Sequence, residues 1–494
     1  MVIAVITMNY SNPELKMKLE QQFAESADLT IRELTLCSAS AIGALVITME
    51  GLVDKQQLAQ SVINPLLPYD FGNQSPDEVG QSIFRSVIAS ADAKAFSTME
   101  ELVTYITSGF AVIAVDGASQ FYAVGVQGFA FRGVSEPESE VVQRGSREGF
   151  SEPLQINMSM IRRRLKSPGL VFEQMTVGSK SQTQLMLCYL QTKVSQELLQ
   201  TLRERLQACD LETVLASGYL SDYLEDEKTS RLFSGVGISE RPDAVCGKLT
   251  EGRIAVIVDG TPAVILVPRL FVEEFQGVDD YSNRSYYAAF IRFTKYLSFF
   301  AAVFLPGLYV ALAQFHPEYF PTQLLIQTSE SLAKTPFPVM TETLGITLVY
   351  EIMKEAGLRI PKSLGHAVSI VGALVIGESA VTAGIISSST LMVVATAAIC
   401  SYVTSTLYPP IMVLRFILIL VGGLTGLWGI TLATAVIIIS VCSKSSLGVP
   451  YMSSLAPFSL RRMRDVFIRA GWKTLGKHTI RVQKFAETEV RDAD

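Results

Sequence analysis

Hydrophobic and polar residues alternate along this chain in two regimes. Up to about residue 290, short apolar runs such as ALVITM (44–49), AVIAV (111–115), LMLCYL (185–190) and IAVIV (254–258) are separated by polar stretches with helical spacing. That pattern predicts buried strands between amphipathic helices. Beyond residue 295 the apolar runs lengthen to 296–313, 364–386, 389–407 and 411–442. Twenty-three residues, the length of 364–386, rise about 1.5 Å each and reach across a hydrocarbon core of roughly 30 Å. Membrane spans are therefore predicted for the second regime.

The run 364–386 carries one carboxylate, Glu378. Burying it in lipid costs on the order of 3 kcal/mol, so Glu378 is predicted to face protein or a wet cavity, as a functional residue or as a polar contact between helices. Pro306-Gly307 in the span 296–313 predicts a kink that neighbouring helices must satisfy, with Arg292 and Lys295 flanking its cytosolic start. The run 411–442 has Arg415 as its single charge and is too long for an untilted crossing; Gly422, Gly423, Gly426 and Gly429 invite close helix contact.

Two weaker segments stand between the first span and the Glu378 run. Residues 321–335 are short and polar, whereas 338–356 is amphipathic, with Thr343, Thr347, Glu351 and Glu355 stepping by four along one side. Together with Glu342 and Glu330 this stripe suits the lining of an aqueous path. The alternative pairs Glu355 with Arg359 at the membrane surface and leaves Glu351 interfacial.

The first regime contains an internal similarity. DLTIREL (28–34) aligns with GLVFEQM (169–175), 141 positions on, and GFAVIAVDG (109–117) with GRIAVIVDG (252–260), 143 on. Two copies of one α/β unit follow, each with a hairpin at Asp116-Gly117 or Asp259-Gly260 and with mixed sheets. Between them, 131–168 is rich in Arg, Glu, Pro and Gly. Its Arg162, Arg163, Arg164 and Lys166 form either a solvated face or an interface for an acidic partner or anionic lipid.

Charge sharpens the division: 11 of the 147 residues from 296 to 442 are charged, against 77 of the other 347. A net charge of −6 gives no basic field for nucleic acid. Six cysteines show no CxxC or metal-ligand spacing and are expected to be reduced, and the amino terminus lacks the basic start of a signal peptide. Neither a phosphate-binding glycine motif nor a catalytic motif is present, so no cofactor, no metal and no enzyme activity are expected. The residues after 442 carry 10 Lys or Arg against 5 Asp or Glu, which predicts a cytosolic tail and an even number of crossings: six if 321–335 crosses, four if the amphipathic segment stays in the interface.

The expected architecture is an α/β soluble region of two repeated subdomains with mixed sheets, followed by an α-helical transmembrane bundle. The boundaries are 1–130 and 169–285 for the subdomains, 131–168 for the connector, 286–443 for the membrane domain with four to six crossings, and 444–494 for the tail.

Several stretches resemble the A subunit of the GerA-type spore germinant receptors of endospore-forming Firmicutes. They include EPESEVVQRGSREGFSEPLQINMSMIRRRLKSPGL, SERPDAVCGKLTEGRIAVIVDGTPAVILVP, TPFPVMTETLGITLVYEIMKEAGLRIPKSLGHAVSIVGALVIGESAVTAGIIS and SLGVPYMSSLAPF. The similarity runs from Asp28 to Phe458. It implies a protein of the spore inner membrane, its large amino-terminal region on the core side, assembled with a transporter-like B subunit and a lipoprotein C subunit. Such complexes sense small nutrients, and the A subunits look like channel components that oligomerise around a cation path. Glu378, Glu351, Glu342, Glu355 and Glu330 then become pore or gating candidates. Two departures are Glu378, where the family commonly has an amide, and Ser146, where RGPREGF has proline. A non-conducting scaffold, or the sporulation stage V paralogue that assists receptors, is the alternative.

Overall fold

The computed structural model describes residues 11–24, 26–38, 41–128, 136–137, 139–142, 144–226, 232–359, 377–453, 455–456, 465–471 and 473. A five-stranded sheet forms first, from β1 (Leu29–Thr35), β2 (Gly43–Met49), β3 (Ala93–Phe96), β4 (Phe110–Val115) and β5 (Phe121–Gly125), in the order β1-β2-β4-β5-β3. The second sheet comprises β6 (Leu170–Val177), β7 (Thr183–Leu190), β8 (Gly237–Ser239), β9 (Ile254–Val258) and β10 (Val264–Val267), in the corresponding order β6-β7-β9-β10-β8. Neighbouring strands in both are antiparallel. This corrects the expectation of mixed sheets. Helix α2 (Met99–Thr107) joins β3 to β4, which point the same way, but the Asp-Gly hairpin slots β5 between them and separates the parallel pair.

Both faces of each sheet are covered, which is why the central strands are apolar throughout. In the first, α1 (Asn12–Gln22) and α2 pack on Leu45, Ile47, Val112 and Ala114, while Val46, Ala111 and Ile113 face Val62, Leu66, Val79 and Ile83. In the second, α3 (Leu154–Arg164) lies on one face, α4 (Gln196–Gln207) on the other, and α5 (Pro242–Thr250) beside α3. Each hairpin aspartate also caps a helix: Asp116 Oδ1 accepts from the Asn12 N–H at 2.9 Å, and Asp259 Oδ1 from the Leu154 N–H at 3.1 Å. A carboxylate is favoured at these helix starts because the first N–H groups have no intrahelical partner.

The carboxy-terminal part is helical, with α6 (Ser285–Phe315), α7 (Thr322–Leu332), α8 (Val339–Arg359), α9 (Ser388–Val403) and α10 (Tyr408–Cys442). Among the described residues, two stretches, Ser285–Phe315 and Ser405–Cys442, are long and apolar enough to cross a membrane. The expected span 389–407 is the 16-residue α9 followed by a tight turn at Ser405–Leu407. Most of the expected span 364–386 lies outside the described residues.

The run 411–442 is not one straight helix. At Gly426 the backbone takes φ 66° and ψ −153°, a conformation open to glycine and strained for other residues. Before the break α10 follows α6: Arg415 donates to the Ala302 carbonyl, and Gly426 lies against Phe315. Beyond it, Ile430 and Val441 return to the cluster containing Phe299, Phe275 and Tyr451. Thr406 Oγ1 contacts the Glu274 carbonyl at 3.4 Å and Lys444 approaches Glu225 at 3.6 Å, so both ends of the stretch meet the amino-terminal half.

The glycines set how closely α6 and α10 approach. A Cβ on Gly422 would sit 2.6 Å from the Gly307 carbonyl oxygen, and one on Gly307 would sit 2.7 Å from that of Leu418. Gly422→Val is expected to cost about 1–3 kcal/mol through overpacking, read as a lower melting temperature of the full chain in detergent. Gly345→Ala, with nothing within 4 Å of its Cβ, should leave that temperature nearly unchanged.

Candidate functional site in the helical half

Helix α8 turns its polar side inward. Thr343 and Thr347 are fully buried, and their hydroxyls donate to the carbonyls of Val339 and Thr343 at 2.7 and 2.6 Å, back along the same helix. One oxygen of the buried Glu342 carboxylate accepts the Ser387 N–H at the start of α9, while its other oxygen is buried without a partner among the described residues. Beside this contact, hydroxyls tie α9 to α6 as well: Ser387 bonds Thr390 at 2.8 Å, and Tyr309 of α6 meets Ser389 at 3.0 Å and Thr390 at 3.2 Å.

Two turns further along α8, Glu351 accepts the Tyr408 hydroxyl and faces Arg415, Oε1 to Nη1, at 3.6 Å. Arg415 is 0% exposed; its Nε donates to the Ala302 carbonyl at 2.9 Å and its Nη2 to the Ala397 carbonyl at 3.2 Å. A buried guanidinium demands such partners, because an uncompensated charge at this depth is strongly unfavourable. Lys354 lies over the Tyr408 ring and lines a groove of about 470 Å³ with Glu351, Ile352, Glu355, Leu358 and Met412.

The five glutamates do not form one stripe. Glu342 and Glu351 tie α8 to its neighbours, whereas Glu355 is exposed and pairs with Arg359 at 2.6 Å, the surface alternative. Glu330 on α7 is exposed, as is Glu378, whose backbone carbonyl accepts from Thr382 Oγ1 at 2.8 Å. Among the described residues of one chain they line no shared acidic path. Arg415 and Tyr408 as partners of Glu351, and Ser387 as partner of Glu342, are not legible from spacing. The usable signal is that the single charge in 411–442 requires an acidic or carbonyl partner on another helix.

The arginine-rich connector also divides. Arg162 is 1% exposed and grips Asp28, Nε to Oδ2 at 2.7 Å and Nη2 to Oδ1 at 2.9 Å, while its guanidinium lies 5.0 Å from the Phe172 ring centre. It therefore faces the first sheet unit of its own chain and not an external partner. Arg163 and Arg164 are half-buried and both hold Glu148; Arg164 also donates to Ser146 Oγ at 3.0 Å. Burial pushes the Glu148 carboxyl up, but the two guanidinium groups outweigh this and hold it below its ordinary value. Lys166 remains exposed, with Nζ 3.2 Å from Ser108 Oγ.

Helix α6 and the chain after α10 are both clamped to the amino-terminal half. Arg292, expected as a cationic flank, is buried and bonds Asp280 and Asp465 at 2.8 Å each. Ser446 Oγ donates to the Gly235 carbonyl at 2.6 Å, and the Phe271 N–H to the Tyr451 carbonyl at 3.0 Å. Part of the expected basic tail thus packs against the amino-terminal half.

Residues 17–480 match the model of the Bacillus/Clostridium GerA spore germination proteins. The chain belongs to the GerA family. This GerA-family chain is 39% identical to spore germination protein KA of Bacillus subtilis (strain 168) over 455 residues, covering 92% of this chain and 83% of that protein. It is 32% identical to the membrane protein YfkQ of the same organism, covering 94% and 90%, and 31% identical to GerLA of Bacillus cereus, covering 92% of each. A crystal structure of the N-terminal domain of the A subunit of the Bacillus megaterium germinant receptor GerK3 is 26% identical. It covers 53% of this chain and 98% of that domain, with a TM-score of 0.41. The GerA match takes in both sheets, the clamp and the polar ties of α8.

Proposed function

We propose that this GerA-family protein is the A subunit of a nutrient-responsive spore germinant receptor. In this reading it is a non-enzymatic component of the spore inner membrane, its sheet units on the core side, working with a transporter-like B subunit, a lipoprotein C subunit and further A copies. The observation that carries the reading is the joining of two regimes: two sheet units of corresponding strand order are bonded through Arg292, Ser446 and Phe271 to apolar helices held together by buried polar ties. A shift of the sheet units is transmitted to the helices through those bonds, and nutrient binding on a partner selects the shifted state by binding it more tightly.

The helices contribute to a cation path between copies. Glu378, exposed on the subunit, is the group left to face such a path, with Glu355 and Glu330 at its approaches, while Glu342 and Glu351 act as ties of the closed state. Bilayers containing A, B and C subunits test this. Nutrient should evoke a cation current, and Glu378→Gln should lower it several-fold with assembly intact. The scaffold reading, favoured by the inward turn of Glu342 and Glu351, predicts no current at all.

A further inference from the structure

Helix α6 has a missing hydrogen bond at its centre. Pro306 carries no N–H, so the carbonyl four residues earlier, Ala302, has no intrahelical donor. Ala302 is 0% exposed, so neither solvent nor a lipid headgroup reaches it. An unsatisfied carbonyl at that depth is costly. The Nε of Arg415 donates to this oxygen at 2.9 Å.

The same guanidinium reaches α9 through Nη2 and Ala397 O at 3.2 Å, both good hydrogen bonds. Its third arm is looser. Nη1 stands 3.6 Å from Glu351 Oε1, and neither atom has a hydrogen-bond partner among the described residues. The planar fork of arginine suits such divided duty, serving two carbonyls and a carboxylate in different directions, which a single ammonium does not.

We propose that Arg415 is a positioning residue that replaces the amide hydrogen withheld by Pro306, locking α6, α9 and α10 together. On this account Arg415 is committed to backbone carbonyls and is not a charge that lines or senses a passage. The role is independent of whether the receptor conducts.

The test is a double-mutant cycle on the full chain in nanodiscs, read as melting temperature. Arg415→Met should lower it by roughly 5 °C or more. Pro306→Ala restores a backbone N–H to the Ala302 carbonyl, so Arg415→Met in that background should lose less than half as much. Equal losses in the two backgrounds would overturn the proposal. Glu351→Gln provides the control for general stabilisation of α6 by alanine: its effect should be the same with and without Pro306→Ala, and an equal rescue of Glu351→Gln also overturns the proposal. If Arg415→Met alone does not accumulate, recovery of the protein in the double variant supports the proposal and failure to recover refutes it.

Discussion

Arg162→Met is expected to uncouple the two sheet units and to destabilise the full chain by roughly 3–5 kcal/mol, the range for breaking a buried ion pair from one side. Asp28 is 1% exposed and takes both bonds from Arg162, with Ser26 as its other partner at 2.6 Å. With arginine gone, that carboxylate is left in a dry joint where the Phe172 N–H already goes to Ser26 Oγ. Chemical unfolding of the detergent-solubilised chain, followed by limited proteolysis near residue 28, measures the loss. Lys166→Met, which removes an exposed side chain, should stay within about 0.5 kcal/mol. Equal effects for the two substitutions would show that Arg162 does not hold the joint.

Glu273→Gln is expected to weaken the root of the helical half and to change its response to acid. Glu273 is 3% exposed in the turn Phe271–Phe275; it receives Lys248 Nζ at 2.6 Å, the Leu270 N–H at 3.0 Å and a short contact from Arg253. Burial pushes its carboxyl upward, but the Arg253, Lys248 and Arg269 charges outweigh burial and bring it from 4.5 down to about 2. A depressed folded value means stability that is fully present above 4.5 and is lost as pH falls from 4.5 toward 2. The shift corresponds to a contribution on the order of 3 kcal/mol. Melting temperatures of the native chain should therefore fall across that window, while Glu273→Gln starts lower and changes less. Parallel curves for the two proteins would remove Glu273 from the acid response.

The two departures from the family pattern fare differently in the structure. Ser146 gains a use, since its hydroxyl accepts from Arg164 while its carbonyl accepts from Arg241 Nη2 at 2.9 Å. Glu378 gains no side-chain partner among the described residues that explains it, and its carboxylate is exposed. The arginines that looked like one surface cluster are adjacent in sequence but lie on different sides of α3, because successive helical positions turn by about 100°. Arg162 thus enters the core while Arg163 and Arg164 hold Glu148.

By itself the sequence determined the division into strand-forming and lipid-length regimes, the two Asp-Gly hairpins, the demand for a partner at Pro306 and the family. Each of these depends on local composition, periodicity or motif, which a linear chain displays. Only the tertiary structure decided that β5 separates parallel strands, that α10 doubles back at Gly426, that Asp28 takes Arg162, and that Glu351 and Ala302 share Arg415. The side-chain contacts among these join residues dozens to more than a hundred positions apart, and a buried charge accepts any well-placed acid or carbonyl. Its requirement is written in the sequence, but the group that meets it is selected by packing.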